Sequence, residues 1–256
     1  MAPSLTPSPT PSLLAVFAHP DDESLACGGL LARCAQLGVR VTLLCASHGD
    51  YAGLGDLRRE ELRAAAHTLG VSKVVLLDHP DGELAWADRL QEDIRDAILR
   101  FRPDVVVTFA EDGLYWHPDH IAVFEKTTAA VASLDSALED AAPALYYVTM
   151  PPGLMRAVAG HAVGAASAGG PATVLGIDVD AFGALAQPPT IVLDVAEFAG
   201  AKLAALRCHR TQVVDSPFDV IDAADAARLL GTEHFRRAEV GSQAAVFIDT
   251  LACAIR

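Results

Sequence analysis

Short unbroken apolar runs alternate with longer amphipathic or Ala-rich stretches through the first 150 residues of the chain. Residues 13–18 form the first such run, as expected of a parallel strand buried on both faces. Gly28 and Gly29 then open an apolar helix that reaches about residue 37. Residues 39–46 read as a second strand, and 56–69 as a helix closed by Gly70. Residues 73–77 read as strand three. A helix over 88–101 is closed by Arg102-Pro103. Residues 104–110 read as strand four, 121–134 as a helix and 144–150 as strand five. This rhythm predicts an α/β fold: a Rossmann-like, doubly wound, mostly parallel sheet with helices on both faces. Right-handed crossovers and the common strand order 3-2-1-4-5 would make strands one and four neighbours at the topological switch point.

Beyond residue 150 the pattern weakens. The stretch 151–176 is rich in Ala, Gly and Pro and reads as a mobile flap or an irregular subdomain. Residues 190–195 read as one more strand and 196–207 as a helix. The expected organisation is therefore a Pro/Ser/Thr-rich disordered tail over 1–12 and a single domain over 13–256. Within it, 13–150 form the Rossmann-like core and 151–256 a smaller irregular C-terminal elaboration.

Composition narrows the function classes. The chain has 256 residues, enough for a large core, and 52% of them are apolar. Thirty-three acidic against 19 basic residues give a net charge of −14. That argues against nucleic acid as a partner, because phosphate contacts need clustered Lys and Arg, and against anionic membrane surfaces. No apolar run approaches the ~20 residues of a membrane span, and the first residues lack the basic and apolar regions of a signal peptide. A cytoplasmic location is expected. The five cysteines show no paired spacing and read as reduced, buried thiols, with Cys27 and Cys34 on one helix face. Homo-oligomerisation is left open.

Two polar clusters follow predicted strands. Ala18-His19-Pro20-Asp21-Asp22-Glu23 follows strand one, and His117-Pro118-Asp119-His120 follows strand four. Topology would bring both to one crevice at the carboxyl edge of the sheet. A catalytic zinc commonly has two His and one carboxylate plus a water in the open position, and His19, Asp22 and His120 supply that set. Asp21 is adjacent to Asp22, so the two side chains diverge. If Asp22 holds the metal, Asp21 can stand off it and accept a proton from water, whose pKa zinc lowers to ~7. His117 and His120 are three apart on one side of a helical turn, so one can ligate while the other faces substrate. A third His-Pro-Asp at His79 lacks the extra ligand and reads as a turn after strand three, although Asp81 could face the crevice. His48 reads as a neighbour of the site or solvent-exposed, and Glu23 as a first-turn acid at a helix N-terminus.

With these motifs the chain resembles the LmbE-like (PIG-L) family of zinc-dependent N-acetylglucosamine deacetylases. Supporting matches are Ser47-x-Gly49-Asp50, Arg58-x-x-Glu61-Leu62, Asp81-Gly82, and the stretch from Lys202 to His209-Arg210-Thr211-Gln212. The resemblance covers about residues 13–240. It departs at His48, where the family motif usually begins Thr-x-Gly-Glu, and over 151–176. It implies zinc on His19, Asp22 and His120, with Fe2+ able to occupy the same ligands. It also implies Asp21 as general base and His117 as the group that stabilises the oxyanion or protonates the leaving amine. Arg58, Asp81 and Tyr115 become substrate contacts. The expected reaction is removal of acetyl from a small-molecule N-acetyl amino sugar, with low-molecular-weight thiol biosynthesis (bacillithiol or mycothiol) as one context in the family. Two readings stand beside it: hydrolysis of another amide, such as a thiol S-conjugate, and a non-catalytic sugar- or nucleotide-binding module.

Overall fold

The computed structural model describes residues 10–50, 53–135, 142–163 and 173–252. In chain order its elements are β1 Ser12–Phe17, α1 Asp22–Gln36, β2 Arg40–Ser47, α2 Gly55–Thr68, β3 Lys73–His79, α3 Leu90–Phe101, β4 Val105–Phe109, the distorted turn α4 Gly113–Trp116, and α5 Pro118–Asp135. Then come β5 Ala144–Thr149, α6 Leu154–Val163, the short β6 Thr173–Val174 and β7 Ile177–Asp178, β8 Ile191–Asp194, α7 Ala199–Cys208, α8 Arg210–Val213, α9 Pro217–Val220, α10 Ala223–Leu230 and β9 Thr232–Gly241.

Seven strands form one sheet in the order β3-β2-β1-β4-β5-β9-β8. The first five pair in parallel, with Leu13 opposite both Val41 and Val105. All six residues of β1, SLLAVF, are buried, as are all of β4 and β5, so these strands need apolar side chains on both faces. Helices α1 and α2 pack with α7, while α3 and α5 pack together, which makes the doubly wound arrangement. β1 and β4 are neighbours, as the 3-2-1-4-5 order requires.

The structure differs from the sequence reading in four places. The helix after β1 begins at Asp22, not at the glycines. Its geometry breaks at Cys27 (φ −147°, ψ 23°). The amides freed there, Gly29 N and Leu30 N, each donate to the Glu233 carboxylate at 2.8 Å, and Lys202 Nζ pairs with the same group at 2.6 Å. Gly29 serves close approach: a Cβ there would lie 2.5 Å from Val195 Cγ2. Second, the stretch taken as a flap carries α6, whose Met155, Val158 and Ala159 are buried at helical spacing; residues 164–172 lie outside the described residues. Third, β9 went unread. It alternates in burial but carries Glu233, Arg236, Arg237 and Glu239. A strand inserted between two others tolerates such charges because partners distant in sequence meet them: Lys202, Glu111 and Asp249. Fourth, Ser12 already belongs to β1, and the rest of the expected tail up to residue 9 lies outside the described residues.

Cys27, Cys34 and Cys45 are buried and Cys208 half-buried, all as free thiols; Cys253 lies outside the described residues. No helix among the described residues is long and apolar enough to cross a membrane.

Candidate metal centre and substrate cavity

The carboxyl ends of β1 and β4 deliver the two polar clusters to one place. His19 lies two residues past the end of β1 and Asp22 starts α1. Asp22 Oδ2 accepts a hydrogen bond from His19 N at 2.7 Å and lies 3.5 Å from His19 Nδ1. Asp22 Oδ1 lies 3.1 Å from His120 Nε2. His120 Nδ1 is 3.0 Å from Gly113 O, and since a carbonyl only accepts, Nδ1 donates to it, which leaves Nε2 to face Asp22. That buried Nε2 has no hydrogen-bond partner despite its nearness to Asp22. A ring nitrogen and a carboxylate oxygen thus converge in a buried place, and the His120 ring is oriented by a backbone carbonyl in the manner of a metal-ligating imidazole. Asp22 Oδ1 and His120 Nε2 are donors of the kind a divalent cation takes, but the two three-residue groups whose ligand atoms gather within 4.8 Å of one another do not include Asp22. Phe109, the last residue of β4, stacks on the His120 ring at 4.1 Å and 8° and fixes its plane.

One ligand atom from each of His19, His117 and His120 lies within 4.8 Å of the other two, and the same holds for His19, Asp81 and Asp119. His19 Nε2 is 3.0 Å from Asp119 Oδ2 and 3.1 Å from Asp81 Oδ1. Asp119, fully buried, also accepts from Gly82 N at 2.8 Å and Leu84 N at 3.1 Å. A carboxylate so anchored orients the imidazole through its outer nitrogen and leaves Nδ1 facing Asp22. Burial works against charge on His19, but Asp119, Asp22 and Asp81 outweigh it and raise its pKa well above the ordinary value. A cation would take the place of that proton. Burial likewise opposes charge on Asp22, yet His120 and His19 hold it well below the usual carboxylate range.

Asp21 sits beside this group with a left-handed backbone, φ 121°. Burial, then the Asp22 charge, pushes its carboxyl up to about 6, against the pull of Arg58. Arg58 is buried, not on a helix surface. It donates to Pro20 O at 2.6 Å and Gly49 O at 3.1 Å and reaches Asp21 Oδ2 at 3.4 Å. A Cβ at Gly49 would collide with its guanidinium.

The next turn is strained. Leu114 and Trp116 have φ of 66° and 68°, and between them Tyr115 is turned so that its ring lies 5.1 Å from that of His120. Burial, with Asp22 and Asp21 nearby, raises the Tyr115 pKa and keeps it a neutral phenol. His117 Nδ1 accepts from Asp119 N at 3.2 Å, so the neutral ring carries its proton on Nε2. Burial, then His120 and His19, lowers its pKa to about 4.

A cavity of about 410 Å³ opens over these groups, lined among others by Asp21, Arg58, Asp81, Tyr115 and His117. All eight residues singled out in the sequence are therefore within one buried centre and its cavity. His79 and His48 are elsewhere: His79 pairs with Asp93 at 3.0 Å and His48 lies 3.4 Å from Asp78. Three features went unread. Asp119 is hidden inside its own motif. Gln212 lines the cavity, held there by Thr211, whose N and Oγ1 donate to Glu61 at 2.9 and 2.7 Å. Glu23 is the first-turn acid expected at the N-terminus of α1, but its burial against His209 at 2.8 Å went unread.

Residues 14–131 match the family described as GlcNAc-PI de-N-acetylase, PIG-L. A 1D-myo-inositol 2-acetamido-2-deoxy-alpha-D-glucopyranoside deacetylase of Acidothermus cellulolyticus is 32% identical over 88% of this chain and 87% of its own. The chain belongs to the PIG-L family. Among solved structures, the N,N'-diacetylchitobiose deacetylase of Pyrococcus horikoshii is similar with a TM-score of 0.63, at 20% identity over 89% of this chain and 83% of its own. The Pseudomonas putida 4-carboxy-2-hydroxymuconate hydratase GalB shares the fold with a TM-score of 0.58, at 19% identity over 93% of this chain and all of its own. The PIG-L fold therefore carries more than one chemistry, and the reaction must be argued from the site.

Proposed function

We propose that this PIG-L protein is a metal-dependent amidohydrolase that releases acetate from a 2-acetamido-2-deoxyglucose glycoside. The observation that carries this reading is the division of labour between two adjacent acids. Asp22 is turned inward between His19 and His120, while Asp21 lines the cavity.

His19, Asp22 and His120 would hold the cation, zinc or Fe2+. When bound, it supplies Lewis acidity, polarising the amide carbonyl and acidifying water. Asp21, whose carboxylate is buried and only partly neutralised by Arg58, accepts the proton of the attacking water. Neutral His117 offers Nε2–H to the developing oxyanion, aided by the Tyr115 hydroxyl. Collapse then needs a proton on the departing amine, and the carboxylic acid formed at Asp21 can return it. Arg58 and Asp81 hold sugar hydroxyls at the cavity wall. Similarity to the inositol-linked deacetylases supports a polyol glycoside as substrate.

Asp21→Asn should keep one equivalent of zinc and lose acetate release by orders of magnitude; full activity would remove Asp21 from the mechanism. His120→Ala should lose zinc by elemental analysis, and unchanged zinc content would mean that the ligands are misassigned. A panel of N-acetyl sugars and thiol conjugates, read by free-amine release, separates deacetylation from cleavage of another amide.

A further inference from the structure

The proposed base has a backbone conformation that an aspartate rarely adopts and does not hold unaided. Asp21 is the residue before α1, with φ 121° and ψ −28°. Its carbonyl accepts the first helical hydrogen bonds, from Ser24 N and Leu25 N, both at 3.1 Å. An aspartate so placed ordinarily folds its carboxylate back onto its own helix amides. Here the side chain makes no such cap and faces Arg58 and the cavity instead.

Glu23 sits where this twist must be fastened. Its Oε2 accepts from Asp21 N at 3.2 Å. Its Oε1 accepts from Ser24 Oγ at 2.5 Å and lies 2.8 Å from His209 Nε2. Both partners of the last contact are essentially shut off from water, at 1% and 0% side-chain exposure. His209 arrives from the junction of α7 and α8, 186 residues downstream. A buried acid fixed at one oxygen by a distant imidazole can hold the Asp21 amide with its other oxygen.

We propose that Glu23 and His209 are positioning residues that keep the Asp21 carboxylate turned off its helix and onto the reacting water. The proposal rests on Asp21 being the base. His209 braces Glu23, Glu23 anchors Asp21 N, and neither touches substrate.

The test is a kinetic cycle on the zinc-loaded full chain, with N-acetylglucosaminyl-inositol as substrate and acetate release as readout. Glu23→Gln and His209→Phe should each lower kcat about 10- to 100-fold, with KM within about 2-fold and zinc still at one equivalent. In the Asp21→Asn background the same changes should cost less than about 2-fold, because the group they position is gone. A structural role would instead multiply equally in both backgrounds, and that result overturns the proposal, as does unchanged kcat in the single variants. His209→Gln, which returns an N–H donor, should recover most of the loss seen in His209→Phe. It also carries the cycle if Glu23→Gln does not fold. Full activity of Asp21→Asn would sink the base assignment and this proposal together. Activity lost in Asp21→Asn but untouched by Glu23→Gln and His209→Phe would sink this proposal alone.

Discussion

Replacing Lys202 by Met should be among the most damaging single changes away from the cavity. Lys202 and Glu233 pair at 2.6 Å with side-chain exposures of 6% and 2%. Removing one partner of a buried pair costs about 3–5 kcal/mol, because the other charge is left uncompensated. Glu233 keeps two amide donors, Gly29 N and Leu30 N, which places the expected loss at the lower end, about 3 kcal/mol. For 256 residues, an unfolding entropy of roughly 2.1 cal/mol/K per residue turns this into a Tm lower by about 6 °C. Thermal unfolding followed by circular dichroism reads it directly. A double-mutant cycle with Glu233→Gln should show coupling of at least about 1.5 kcal/mol. A Tm within 2 °C of the parent, or additivity within roughly 0.5 kcal/mol, would refute the claim that this pair clamps α1 to α7 and β9.

Asp119→Asn should weaken zinc binding about 10- to 100-fold, measured by competition with a chromophoric chelator, because the amide replaces one of the two oxygens now shared among His19, Gly82 and Leu84; parental affinity would show that Asp119 does not support the ligand. Stripping the metal with a chelator should lower Tm by roughly 8 °C, the equivalent of about 4 kcal/mol at metal a thousandfold above Kd, and zinc should restore it; an unmoved Tm would argue against a native-state cation site. Gly29→Ala should destabilise by about 1–3 kcal/mol through overpacking on Val195, seen as a lower guanidinium midpoint at unchanged m-value. Burial lowers the His209 pKa, but the Glu23 charge and hydrogen bond more than reverse this, so the folded value is raised above 6.5. The resulting stability is complete below pH 6.5 and is lost as pH rises through the folded value. The Tm gap between the parent and His209→Phe should therefore narrow from pH 6 to pH 9; a gap that widens would contradict the charged pairing.

The Rossmann-like half was legible because each of its strands is a local apolar run, as in β1 and β4, and the switch-point rule joins those two without further information. The site was legible for the same reason: both clusters lie within a few residues of strand ends whose adjacency follows from topology. What escaped depends on pairing across long separations. The charges of β9 hide a strand until Lys202, Glu111 and Asp249 are seen to meet them. Glu23 reads only as a first-turn helix acid, because the imidazole that buries it, His209, comes from 186 residues away. Backbone twists at Leu114 and Trp116 leave no trace in composition, because nothing about a leucine or tryptophan announces a left-handed conformation, and at Asp21 the residue type permits the twist without requiring it.

The place of β9 also governs when the molecule can be completed during synthesis. The chain leaves the ribosome in order, and β1 to β5 are available by residue 149, yet β5 then ends the sheet as an open edge. Its neighbour, running from Thr232 to Gly241, emerges more than eighty residues later. Through that interval Tyr146, Tyr147 and Val148, which end fully covered, lie along an unpaired edge of the kind that recruits other chains. His209 and Lys202 emerge in the same interval, and Glu233 only with β9, so the pair that joins α1, α7 and β9 cannot form until that strand is made. A nascent polypeptide halted between residues 150 and 231 would carry every proposed metal ligand, but on an unfinished sheet.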